Sequence, residues 1–209
     1  MTRQRGVGAL LGLAAVVAAS ASCGDVVREG RSPMFLVIDQ LTGVRGGPLG
    51  GSAGGTLSSD VITNVTSPEP CSATTPCATV FADSGQAQLR VAPKNVATPS
   101  QPTSNNDVTV TRYRVSYRRA DGRNTPGVDV PYGFDGAVTG TVRVGGSLTL
   151  SFVLVRTTAK QEPPLVQLIS SPTVLTTIAD VTFYGRDLVG NDVNVTGSIQ
   201  VDFGNFGDF

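Results

Sequence analysis

The chain contains no histidine, and that absence limits the chemistry open to it. Imidazole is the commonest general base and the commonest metal ligand, so Ser-His and Cys-His nucleophiles are excluded together. What remains is three cysteines, a crowd of arginines and scattered Asp and Asn. Cys71 and Cys77 bracket the segment CSATTPC. Five intervening residues and a proline turn can bring their Cβ atoms within disulfide reach in an oxidising compartment. Two free thiols are the other reading, while a zinc site fails because two Cys without His cannot complete a tetrahedral shell. Cys23 is left without a mate.

Arg112, Arg114, Arg118, Arg119 and Arg123 place five basic residues within twelve positions. If Tyr113, Val115 and Tyr117 point inward, Arg112, Arg114 and Arg118 form a row on the open face of one strand. Such a row could meet an anionic polymer, lipid headgroups or an acidic protein of the cell envelope. The plainer reading is a solvated face on which acids of adjacent strands pair with these arginines at little net gain. Asp187, Asn191 and Asp192 offer hard oxygens to Ca²⁺, but Asp and Asn are also ordinary turn residues that bond nearby backbone. DVNVTG from Asp192 begins like an EF-hand loop and then has Phe203 where the bidentate Glu belongs, so that motif fails. Gly50-Gly51-Ser52-Ala53-Gly54 matches the G-x-S-x-G nucleophile elbow, yet Ser52 has neither a base nor a strand-to-helix setting. Paired carboxylates such as Asp129 and Asp135 are the remaining acid–base option, and nothing in their spacing recommends them. The chain reads as non-catalytic and in need of no cofactor, with a Ca²⁺-stabilised polysaccharide-binding module as the alternative.

At the N-terminus, Arg3 and Arg5 precede an apolar run from Val7 to Ala19, and Ser20, Ala21 and Ser22 lead to Cys23. This is the layout of a secretory signal. Thirteen apolar residues are too few for a membrane span, which needs about 20. Ser20-Ala21-Ser22-Cys23 resembles the lipobox of bacterial lipoprotein precursors, with Ser20 where Leu is usual. The resemblance implies removal of residues 1–22 and acylation of Cys23. Residues 23–33 would then be a tether, and the protein would be exported and held by its lipid to a membrane, in the periplasm or at the cell surface. Cleavage after Ala21 competes with this and would leave Cys23 unmodified. Export removes two of the 16 Lys+Arg and none of the 16 Asp+Glu, leaving a nearly neutral chain with no nucleic-acid footprint.

The elements that must position these residues are short. Only 15% of the chain is charged, and 25 Gly and 13 Pro punctuate it, which disfavours long surface helices. Met34–Leu41 reads as a strand buried on both faces or a first core strand, and a Gly-rich loop over 43–55 follows it. Alternation of period two marks a strand around Ala87, Leu89 and Val91. It continues through Val108 and Val110, then shifts phase to Tyr113, Val115 and Tyr117, which predicts a β-bulge near Thr111. Val138, Val142 and Val144, then Gly145-Gly146, then Leu148, Leu150, Phe152 and Leu154 predict a β-hairpin. Val181 and Phe183, and finally Val193, Val195, Ile199, Val201 and Phe203, complete the pattern, while Phe206 and Phe209 are expected to dock on the body or to form a small sticky patch for a partner. No segment keeps a helical period. The expectation is an all-β, two-sheet β-sandwich of about nine strands occupying residues 34–209 as one domain. FYGRDLVGNDV resembles the turn near the end of many bacterial immunoglobulin-like repeats, with Asp187, Gly190 and Asn191 in the matching places. That resemblance implies an immunoglobulin-like sandwich without the inter-sheet Cys-Trp-Cys core.

Overall fold

The strand pattern folds into layers because each strand has one apolar face to bury, and two such faces can cover each other. Residues 31–48, 50–94 and 103–207 are described by the computed structural model. The leader, Cys23, most of the tether and Phe209 lie outside them. Among the described residues ten strands run β1 Met34–Val44, β2 Thr56–Asp60, β3 Thr63–Val65, β4 Cys77–Thr79, β5 Asp83–Pro93, β6 Val108–Arg118, β7 Phe134–Val142, β8 Ser147–Val155, β9 Leu175–Asp187 and β10 Asp192–Gly204. A three-stranded antiparallel sheet has the order β1-β5-β8, and a five-stranded sheet has the order β2-β10-β9-β6-β7. Within the larger sheet β2 joins β10 in parallel, and the other neighbours are antiparallel. The expected two sheets are therefore joined by a small third, β3-β4.

The two main sheets face each other. Phe152 of β8 lies 5.1 Å from the Tyr113 ring of β6 and 5.3 Å from the Phe183 ring of β9. The Tyr117 hydroxyl donates to the Leu154 carbonyl at 2.6 Å, a second stitch between layers. Ala87, Leu89, Val108, Val110, Val115, Val181, Phe183, Val201 and Phe203 are all buried between them, as their alternation predicts.

The predicted bulge is present. Between Val110 and Arg112 the register of β6 against β9 slips, so Thr111 has no partner of its own. Thr111 and Arg112 both face outward, and the slip lets Val110 and Tyr113 both face the core. A similar shift at Asp39 separates Ile38 from Gln40 in β1. β1 is a core strand buried on one face only, since Phe35 is 54% exposed.

The predicted hairpin is not. β7 is one outer strand of the five-stranded sheet, and β8 is one outer strand of the three-stranded one. Gly145, at φ +75°, does make a tight turn, with Gly146 N–H donating to the Arg143 carbonyl at 3.0 Å. The turn carries the chain across the sandwich because the apolar faces of both strands are satisfied by facing each other. Gly140 leaves room for the Leu148 and Leu150 side chains that reach it from the opposite layer. Period-two alternation specifies a face and is silent about which strand lies alongside. A second departure is helical: α1 spans Thr157–Lys160 and a 3₁₀ segment spans Leu165–Ser170. Elements of four and six residues are too brief to write a 3.6 period in sequence.

Candidate functional site

β6 lies between β9 and β7, and its outward residues after the bulge include Arg112, Arg114 and Arg118. The structure brings the three into the expected row and gives each an acidic neighbour from an adjacent strand. Arg112 Nη1 and Arg114 Nη1 bind the two oxygens of one carboxylate, Asp135 of β7, at 3.3 and 3.2 Å. Arg118 reaches Asp180 of β9 with Nε at 2.7 Å and Nη2 at 3.4 Å, and Ser198 Oγ donates to the same carboxylate at 2.6 Å. The Arg112 guanidinium also lies over the Tyr184 ring at 4.1 Å. Arg112, Tyr184, Arg186, Asp192 and Asn194 line a shallow hollow of about 460 Å³ at this end of the face. Exposed pairs of this kind contribute ~1 kcal/mol or less, so they organise the surface without holding the fold. Arg119 and Arg123 sit apart, in the loop after β6, where both bind Asp121. Hydrogen bonding from Arg119, together with Arg123, pushes the Asp121 carboxyl down to about 2, against opposition from partial desolvation.

Asp187, Asn191 and Asp192 come together at the β9–β10 turn, but their oxygens point to different partners. Asp187 Oδ1 accepts from the backbone N–H of Val189 at 3.1 Å and of Asn191 at 2.8 Å. Its Oδ2 accepts from Asn191 Nδ2 at 2.8 Å. Asp192 instead binds Arg186 Nε at 2.6 Å. Burial raises the Asp187 carboxyl, and the hydrogen bonds from Asn191, Ser32 and Val189 outweigh that and hold it below its ordinary value. Gly190, at φ +92°, closes the turn in the conformation glycine adopts most easily. Among the described residues no three Cys, Asp or Glu side chains converge to hold a metal ion.

Cys71 and Cys77 form a disulfide with Cα atoms 5.3 Å apart. It ties the loop between β3 and β4 to Cys77, the residue paired with Val65. Asp129 is part of a turn, accepting from Thr125 N–H at 3.2 Å, whereas Asp135 serves the arginine row. Ser52 is exposed in the Gly-rich loop, whose ends are pinched by paired hydrogen bonds between Gly43 and Gly54. Phe206 turns back on the body, where its N–H donates to Asp60 Oδ1 at 3.2 Å. No helix among the described residues is long and apolar enough to cross a membrane.

One polar cluster escaped the sequence reading altogether. Lys160 Nζ lies 2.8 Å from Asp83 Oδ2, and both side chains are 1% exposed or less. Ser59 Oγ donates to that same oxygen at 2.6 Å, and Gly46 N–H donates to Oδ1 at 2.8 Å. Beside them Asp60 accepts from Thr63 Oγ1 at 3.3 Å and pairs with Arg45 at 3.4 Å. Burial pushes the Lys160 ammonium down, and the attraction of Asp83 opposes it. The cluster spans both main sheets, since Ser59 is on β2, Asp83 opens β5 and Lys160 ends α1. A signal was present in sequence: Asp83 shares the inward register of Gly85, Ala87, Leu89 and Val91. A carboxylate on an apolar face requires a buried partner. Nothing in sequence named that partner, because Lys160 lies 77 positions later in an element with no periodicity.

No protein-family model matches the chain, and no curated protein is recognisably similar to it. The arrangement can therefore be read only from its own chemistry: an exposed ladder of guanidiniums on a sheet, a carboxylate-locked turn, and a dry ionic cluster between layers.

Proposed function

We propose that the chain is a non-catalytic lipoprotein of the bacterial cell envelope, anchored through Cys23, whose immunoglobulin-like sandwich acts as a structural or interaction module. The Arg112, Arg114 and Arg118 face meets the partner, an anionic polymer or an acidic envelope protein. One observation carries this reading: Arg112 and Arg114 share the single carboxylate of Asp135, which leaves one positive charge in excess beside the hollow at Tyr184. Both guanidiniums are more than half exposed, so each retains donors for a bidentate anion. Their positions are set by a rigid sheet, which lowers the ordering cost of binding.

The test uses Asp135→Asn, which keeps the side chain's shape and removes its charge. Retention on an immobilised sulfated dextran is expected to strengthen about fivefold, the equivalent of ~1 kcal/mol for one charge at a solvated surface. Arg112→Glu with Arg114→Glu is expected to abolish it, and neutral dextran to retain neither. In cells, a photo-cross-linker at Thr182, which faces Arg114 across the β6–β9 register, is expected to capture one reproducible envelope partner. Retention indifferent to all three substitutions, with no capture that depends on Arg114, overturns the assignment.

A further inference from the structure

We propose that Lys160 and Asp83 condense into an intramolecular amide, so that the mature protein carries a covalent cross-link between α1 and the start of β5. The inference is independent of whether the arginine face binds anything. It begins from the contact: Nζ is 2.8 Å from Oδ2, which brings the nitrogen against Cγ of the same carboxyl group. Such fixed proximity is what turns a slow bimolecular condensation into a feasible unimolecular one. Solvent is excluded, with Ser59, Asp60, Asp83 and Lys160 each 2% exposed or less. Two opposite charges in so dry a place are a poor final state. An amide of the same atoms carries no charge and retains a carbonyl and an N–H that can be hydrogen-bonded.

The protons and atoms balance without any other reactant. Proton transfer from the ammonium to the carboxylate gives a neutral amine and a carboxylic acid. The nitrogen lone pair attacks Cγ, and the charge that develops on Oδ1 faces the Gly46 N–H, already 2.8 Å away. The Cγ–Oδ2 bond then breaks. Oδ2 leaves as water, taking two of the three ammonium protons, while the third stays on the amide nitrogen. Ser59 Oγ, donating to Oδ2 at 2.6 Å, is placed to relay one of them to the departing oxygen. No oxidant, metal or cofactor enters.

The cross-link would join Asp83 on the three-stranded sheet to Lys160, with Ser59 of the five-stranded sheet beside it, closing residues 83–160 into a ring. Peptide mapping of the full-length protein, reduced and alkylated before trypsin, tests this. The expected product is one branched species, Gly46–Arg90 joined to Thr157–Arg186, lighter by one water than its two parts and uncut after Lys160. Lys160→Met and Asp83→Ala are each expected to remove it, and Ser59→Ala to lower its yield. If the wild-type protein gives only linear peptides, cleaved after Lys160 and of full mass, the proposal is wrong. A water lost within Gly46–Arg90 alone also overturns it. Because the wild-type map decides the matter, a variant that fails to fold does not obscure the answer.

Discussion

Replacing Asp187 with Ala tests whether the β9–β10 turn is held by a carboxylate or by a cation. In the native turn Asp187 accepts two backbone N–H groups and one amide from Asn191, and it is 3% exposed. Alanine leaves both backbone donors without an acceptor. Each orphaned donor costs about 1–3 kcal/mol, with partly solvated groups near the lower limit. The expected loss is thus ~3 kcal/mol, which for a chain of this size lowers Tm by about 6–12 °C. Scanning calorimetry across pH sharpens the assay. The folded-state pKa of Asp187 lies below its unfolded value, so the contribution is complete above the ordinary carboxylate range, about pH 4, and is lost as pH falls through the folded value. The gap between wild type and variant should therefore be constant near neutrality and close in acid. Chelator should leave the wild-type Tm unchanged. A gap under ~1 kcal/mol, or a wild-type Tm that falls with chelator while the variant's does not, would refute the carboxylate lock and favour a bound Ca²⁺.

One substitution and one deletion probe the packing that presents the arginine face. A Cβ at Gly136 would run into the Tyr113 ring, so Gly136→Ala should destabilise by about 1–3 kcal/mol as the aromatic cluster shifts; urea denaturation measures it, and an unchanged midpoint contradicts the packing described. Deleting Thr111 removes the extra residue of the β6 bulge and leaves Val108, Val110, Tyr113, Val115 and Tyr117 in unbroken alternation on one face. A cooperative thermal transition is expected to survive the deletion, and its loss would mean that Thr111 is not the extra residue of the ladder.

Legibility in sequence followed the physics of each feature. The bulge at Thr111 was readable because a two-residue period cannot change phase without an extra residue, and both halves of β6 carry enough apolar positions to reveal it. The disulfide was readable because only Cys71 and Cys77 are close enough in sequence to close a small ring. The β7–β8 connection misled, since Gly145-Gly146 makes the same tight turn whether the next strand lies alongside or crosses to the other sheet. Lys160 was invisible for a different reason. Its burial is decided by Asp83, Ser59 and Gly46, none of which neighbours it along the chain.

By itself, then, the sequence determined which face of each strand is buried, where β6 must slip, and that no imidazole chemistry is available, because these depend on local periodicity and residue type. Which strands lie side by side, that two arginines share one carboxylate, and that an ammonium meets a carboxylate in a dry inter-sheet cluster were decided only in three dimensions. Contacts between residues far apart in the chain depend on how the layers stack, and alternation alone leaves that stacking open.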